Sequence, residues 1–241
     1  MATVTSAPPA PSVAVRRDTR TLRRTAAAVL LPLGPLTVAV LRLCLPSFTS
    51  DTSTATIRAT STALGRQDAV VWLSLILVLT LVPSVLAAAR LTQRRAPRMS
   101  LVAIALLVPG FCALLFSAGD PMVRALASGV ITPSDGAKVL SAFNAEPAIV
   151  VATVVFVVGH IVGIVLLGVA FLRTKVVPAA VAIAVIVSQP LHFFFAVIAP
   201  NRFGDGFAWG LTAIGFLVAG LRVLRTPNDE WDLPPVALTA R

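Results

Sequence analysis

The sequence predicts an all-α integral membrane protein: six transmembrane helices in a bundle, with both termini cytoplasmic. Three observations carry that expectation. Charged residues make up only 12% of the 241-residue chain and mean hydropathy is +0.91, where a soluble domain carries about a quarter charged residues. The apolar residues fall in runs of the length that a hydrocarbon core about 30 Å thick requires, about 20 residues at 1.5 Å each. The net charge of +10 is unevenly distributed between the two sides that those runs define.

Six segments meet the length criterion: Thr25–Pro46, Ala69–Arg90, Ser100–Ala118, Ala148–Leu172, Lys175–Ala199 and Phe207–Leu224. The first carries Pro32, Gly34, Pro35 and Arg42 and departs most from a plain apolar span. With the amino terminus inside, fourteen Lys and Arg fall on the inner side, in four groups: Arg16 to Arg24, Arg90 to Arg98, Arg173 with Lys175, and Arg222, Arg225 and Arg241. Six fall outside (Arg42, Arg58, Arg66, Arg124, Lys138 and Arg202), and six acidic residues offset them. The whole surplus therefore sits on one face, as the positive-inside rule requires. A nucleic-acid reader would instead gather its cations on a folded surface, so nucleic acid is excluded as a partner. The expected location is a cell membrane, of bacterial inner-membrane type.

Residues 1–24 read as a disordered basic cytoplasmic tail, residues 25–225 as the transmembrane domain and residues 226–241 as a short cytoplasmic tail. The first span is longer than a signal peptide's apolar region and no Ala-x-Ala site follows it, so it is expected to be retained. "TPNDEWDLPPVALTAR" at the carboxyl end is too short and Pro-broken for a domain, with Trp231 as an unspecific docking candidate. The turns at Leu91–Met99 and Arg173–Lys175 are short, so spans two and three, and four and five, should be antiparallel neighbours. In the outer connection between spans three and four, Asp120-Pro121 and Thr132-Pro133-Ser134-Asp135 are helix-start signals. They predict two short amphipathic helices lying on the outer interface or over the bundle. Trp72 and Trp209, with Phe48, Phe203 and Phe207, fall near outer span ends, where aromatic rings settle at headgroup level.

Polar groups within a bilayer need a partner or a purpose. His160 lies about 18 Å below the outer end of span four, Gln189 about 15 Å below that of span five, and His192 about 10 Å, counting 1.5 Å per residue. The first two depths predict a His160–Gln189 hydrogen bond. "SQPLH" (Ser188 to His192) puts a hydroxyl, an amide, a helix break and an imidazole in one turn and a half. With Thr153 and His160, and with Glu146 or Arg42 at the rim, Ser188, Gln189 and His192 outline a candidate polar pocket open outward. Haem through His160 and His192 is disfavoured, because axial ligands meet the iron at one height and these lie about 8 Å apart by helix rise. Gly159 and Gly163 form a GxxxG pattern, as do Gly206 and Gly210, and such pairs admit close helix packing. Cys44 and Cys112 show no metal-type spacing and read as small apolar fillers, with a disulfide between the first and third spans near the outer side as the alternative.

No HExxH, GxSxG or Walker A pattern occurs, and Asp and Glu fall outside the six apolar segments. No metal site, resident cofactor or enzymatic activity is expected. Three functions fit what remains. The first is a non-enzymatic interaction or accessory protein whose glycine pairs pack against a membrane partner or a second copy. The second is a small-solute permease or ligand-binding bundle using the pocket in spans four and five. The third is a haem-binding redox protein.

Overall fold

The computed structural model describes residues 18–48, 51–117 and 119–232. All regular structure among them is helical, and six helices are long and apolar enough to cross a membrane. Ten α-helices follow one another: α1 (Arg20–Cys44), α2 (Ser53–Ser61), α3 (Leu64–Thr92), α4 (Pro97–Ser117), α5 (Asp120–Leu126), α6 (Pro133–Ala145), α7 (Pro147–Thr174), α8 (Ala179–Phe193), α9 (Arg202–Arg225) and α10 (Asn228–Trp231). A wide π-helical turn, Phe194–Ile198, prolongs α8. The six long helices are α1, α3, α4, α7, α8 and α9. They stand in a ring in chain order, with α9 returning to pack on α1. Short connections make consecutive helices neighbours, including both antiparallel pairs expected from the short turns.

The core of the ring is apolar and small-residue-rich, centred on Leu31, Leu107, Leu167, Phe171 and Phe216. Prolines pass through the long helices without breaking them. Pro35 has no N–H to give the carbonyl four residues back, and Ser84 of α3 donates to that carbonyl, Leu31 O, at 2.6 Å. The freed acceptor thus becomes an interhelical hydrogen bond, the repair expected where no water reaches.

Both described ends of the chain lie at the same end of the bundle. Arg20 pairs with Asp229, and Arg23 with Asp232 at 2.9 Å. The Arg90 guanidinium sits 5.0 Å above the Trp231 ring and 2.7 Å from Asp232. Trp231 is buried by this arrangement, so the docking candidate of the tail docks on its own chain. Arg20 to Arg24, expected in a disordered tail, form the first turn of α1. The expectation of disorder for residues 1–17, and of the tail's course over 233–241, lies outside the described residues.

At the opposite end, α2, α5 and α6 form a small cap around Ile57, Ala137 and Leu140. The connection between α4 and α7 carries α5 and α6. Thr132 Oγ1 accepts from Asp135 N–H at 3.2 Å and caps α6. Lys138 beside Asp135, and then the Thr132 hydroxyl, hold the Asp135 carboxyl below its ordinary pKa. The Ser/Thr-rich segment before α3 contributes α2, capped by Thr52. Cys44 and Cys112 are free thiols.

Candidate functional site

The opposite end of the bundle holds a cavity of about 570 Å³, within the range of small-molecule sites. It reaches down between α1, α3, α4 and α7 to His192 and Trp209, and its walls carry Arg42, Ser74, Asp120, Asn144 and Thr153 among apolar side chains. Asp120, the first residue of α5, accepts from Ser74 Oγ at 2.6 Å, and its backbone carbonyl accepts from Gln67 Nε2 at 3.2 Å.

One carboxylate organises the deep wall. Asp205 Oδ1 lies 2.5 Å from His192 Nδ1, and Asp205 Oδ2 lies 2.6 Å from Arg42 Nε. The Arg42 Nε–H is not aimed at that oxygen, so the pair is ionic by distance without an aligned hydrogen bond there. Because a carboxylate only accepts, His192 Nδ1 carries a proton and its Nε2 is left as the ring's second polar atom. The local sequence explains how three helices meet at Asp205. Asn201 caps α9 by accepting from the Phe203 and Gly204 N–H groups, both at 3.0 Å. Glycines flank the aspartate on each side. A Cβ on Gly204 would fall 2.5 Å from the Phe195 ring of the π turn, and one on Gly206 would fall 2.8 Å from Leu43 of α1. Gly-Asp-Gly therefore lets both neighbours close on the carboxylate.

Trp209 forms the floor. Its ring stacks on His160 at 5.9 Å between centroids and meets His192 edge-on at 5.4 Å. The two imidazoles are 5.4 Å apart. This overturns the depth estimate that separated them, for a geometric reason. Side chains lean toward the N-terminus of their helix, and α7 and α8 run in opposite directions, so the two rings lean toward each other. They touch Trp209 and one another and leave no slot for a macrocycle, so the residues present do not fit a bis-histidine haem.

The sequence-predicted pocket is divided. His192 and Thr153 line the cavity. His160 lies behind Trp209, buried, its Nδ1 2.7 Å from Phe156 O of its own helix and its ring stacked on Phe156 at 4.3 Å. Its Nε2 and the Trp209 Nε1 are buried without partners. The expected His160–Gln189 hydrogen bond is not made. Gln189 Nε2 instead donates to Ser188 Oγ and Thr212 Oγ1, both at 3.2 Å, and the two hydroxyls are 2.7 Å apart. Ser188 passes its own proton to Val185 O at 2.7 Å, so Thr212 donates to Ser188. Ser188 and Gln189 thus form a buried polar knot between α8 and α9, away from the cavity, in which Gln189 Oε1 alone is left without a partner.

The glycine pairs also separate. Gly159 and Gly163 face α4 in the same chain, where a Cβ on Gly159 would fall 2.6 Å from Leu106 O. Gly206 faces α1, whereas Gly210 meets nothing within 4 Å. Trp209, expected as a headgroup anchor, is buried, while Trp72, Phe203 and Phe207 are exposed. Glu146 is exposed and is not among the residues lining the cavity.

Asp205 is the residue that sequence reading placed outside the spans. Helix α9 begins at Arg202, five residues before the apolar run, so an acidic residue does lie within a long apolar helix. The signal was present: Asn201 as a cap with Asp205 in the first turn is a helix start. Among the described residues, no three His, Cys, Asp or Glu side chains converge as a metal site. No protein-family model, curated protein or solved structure matches the chain.

Proposed function

We propose that the chain is a non-enzymatic, multi-pass membrane protein that binds a small solute, largely apolar with one polar head, in the 570 Å³ cavity. In this reading the basic end faces the cytoplasm, by the charge asymmetry of its loops, and the cavity opens to the other side. One observation carries the proposal: the shared carboxylate of Asp205 holds Arg42 and His192 together at the wall of that cavity. Burying charge costs several kcal/mol per ion even when the ions are paired. Within membrane helices, charges are rare and face cavities or pathways. A purely structural contact at this position needs no ion at all, since apolar residues of similar volume pack as well or better. The apolar walls suit a hydrocarbon body, and Arg42, His192 and Asp120 suit a polar head.

The interaction-protein reading rested on the glycine pairs. Gly159 and Gly163 pack within the chain, which removes most of its basis and raises the binding reading above it.

The test uses a single cysteine, Thr153→Cys, in a Cys44→Ala/Cys112→Ala background, in sealed vesicles of known orientation. A membrane-impermeant maleimide should label Thr153→Cys from the side opposite the basic end. The isosteric Ser188→Cys, in the buried knot, should stay unlabelled. Octanoate and octylamine, which carry opposite heads on similar tails, then probe occupancy. Protection by either supports binding and identifies the preferred head. No labelling of Thr153→Cys, or labelling that neither amphiphile slows, overturns the proposal.

A further inference from the structure

The basic end of the bundle carries a second cavity, of about 240 Å³, where the ends of α3, α7 and α9 converge with α10. Five cations line it, Arg90, Arg94, Arg95, Lys175 and Arg222, against one acidic residue, Glu230. Three of the five are engaged. Arg90 pairs with Asp232 at 2.7 Å, Arg94 donates to Glu230 O at 3.1 Å, and Arg95 donates to Thr174 O at 3.2 Å. The side chains of Lys175 and Arg222 make no hydrogen bond or ion pair among the described residues.

Cations at helix C-termini have an ordinary role, to offset the negative end of the helix dipole. The charge balance shows that this role does not absorb them all. Each C-terminus carries about half a negative charge, so three account for about 1.5 of the five positive charges. Glu230 and Asp232 account for two more, leaving a surplus of about 1.5. The surplus has a place to act, because 240 Å³ is several times the roughly 30 Å³ share of one water molecule. The cavity also sits where the long helices end, the level that headgroups occupy around helices spanning a bilayer, and Trp231 is buried against the same cluster. Cationic pockets between membrane helices at this level suit anionic headgroups.

We propose that this cavity is a binding site for a phosphate-class anion, with Lys175 and Arg222 as its unpaired ligands and Arg95 completing the ring. The chemistry is that of a phosphodiester or phosphate monoester of one to two charges, supplied by an anionic lipid or by free phosphate.

The experiment titrates the full chain, purified in neutral detergent, with phosphatidylglycerol, phosphatidylcholine and inorganic phosphate. Bound lipid is counted by native mass spectrometry, and affinity is read from thermal stabilisation. The wild type should retain one phosphatidylglycerol in preference to phosphatidylcholine. Lys175→Asn/Arg222→Gln should weaken that binding by about thirtyfold, at about fivefold per cation near a membrane surface. Asn suits the left-handed backbone at Lys175 (φ 54°). Arg173→Gln, at an exposed cation of the same end that is not among the lining residues, should change affinity by less than twofold. Displacement of the lipid by millimolar inorganic phosphate assigns the site to soluble phosphate, and its absence assigns it to lipid. Equal weakening by Arg173→Gln and by the double variant means diffuse attraction and overturns the proposal, as does equal retention of both lipids by the wild type. If the double variant is not monodisperse, Arg222→Gln alone is read the same way against a fivefold expectation.

Discussion

Asp205 and His192, thirteen residues apart and on different helices, meet at 2.5 Å through Oδ1 and Nδ1, while the other carboxylate oxygen lies 2.6 Å from Arg42. Three long helices, α1, α8 and α9, are therefore joined at one buried point. Removing the carboxylate alone strands Arg42 in an apolar wall, which costs about 3–5 kcal/mol. Asp205→Leu should accordingly lower thermal stability steeply. Arg42→Met/Asp205→Leu removes both charges and should recover much of the loss, giving a coupling energy well above the 0.5 kcal/mol expected of independent sites. Thermal unfolding of the two single variants and the double variant, in one detergent, measures it. Additive losses would mean that the ions are solvated through the cavity and do not act as a pair.

A second prediction concerns His160. Its Nδ1 partner, Phe156 O, belongs to its own helix, and its Nε2 has no partner. Stability between helices must then come from the ring, stacked between Phe156 and Trp209, and not from a polar contact with another helix. His160→Ala should lose on the order of 2–3 kcal/mol from the void and the lost stacking. His160→Phe keeps the ring and removes an unsatisfied buried acceptor, a gain of about 1–3 kcal/mol that offsets the strain of its larger volume. Its melting temperature should therefore fall near that of the wild type. A loss as large as that of His160→Ala would show that Nε2 makes a contact on which the fold depends.

How far the sequence reaches depends on the range of the interaction concerned. The six long helices were legible because apolar length is a property of each segment alone. The site was only half legible. Depth counting treats helices as upright rods, and it separated His160 from His192 because it omitted the opposite lean of side chains on antiparallel helices. It paired His160 with Gln189 because equal depth says nothing about which face of a helix a residue occupies. Asp205 was lost at a boundary. A hydropathy window stops at a polar residue, whereas a helix starts at its cap, and Asn201 precedes the apolar run by six residues.

The glycines test the packing directly. At Gly159 a Cβ would stand 2.6 Å from Leu106 O and 3.0 Å from Gly110 Cα. Both are backbone atoms, which cannot swing aside as a side chain can, so α4 and α7 must separate. Gly159→Ala should cost about 1–3 kcal/mol through overpacking. Gly210 belongs to the same kind of sequence pattern but meets nothing within 4 Å. There the alanine side chain costs no space and reduces the freedom of the unfolded chain, a gain of about 0.4–1 kcal/mol. Comparing the two variants by thermal unfolding separates a glycine used inside the chain from one that is not. Should Gly210→Ala instead leave the isolated chain stable but alter its association in detergent, Gly210 would mark a contact with a second polypeptide. If Gly159→Ala melts with the wild type, the close α4–α7 crossing described here is wrong, and with it the reason for setting the partner reading below the binding one.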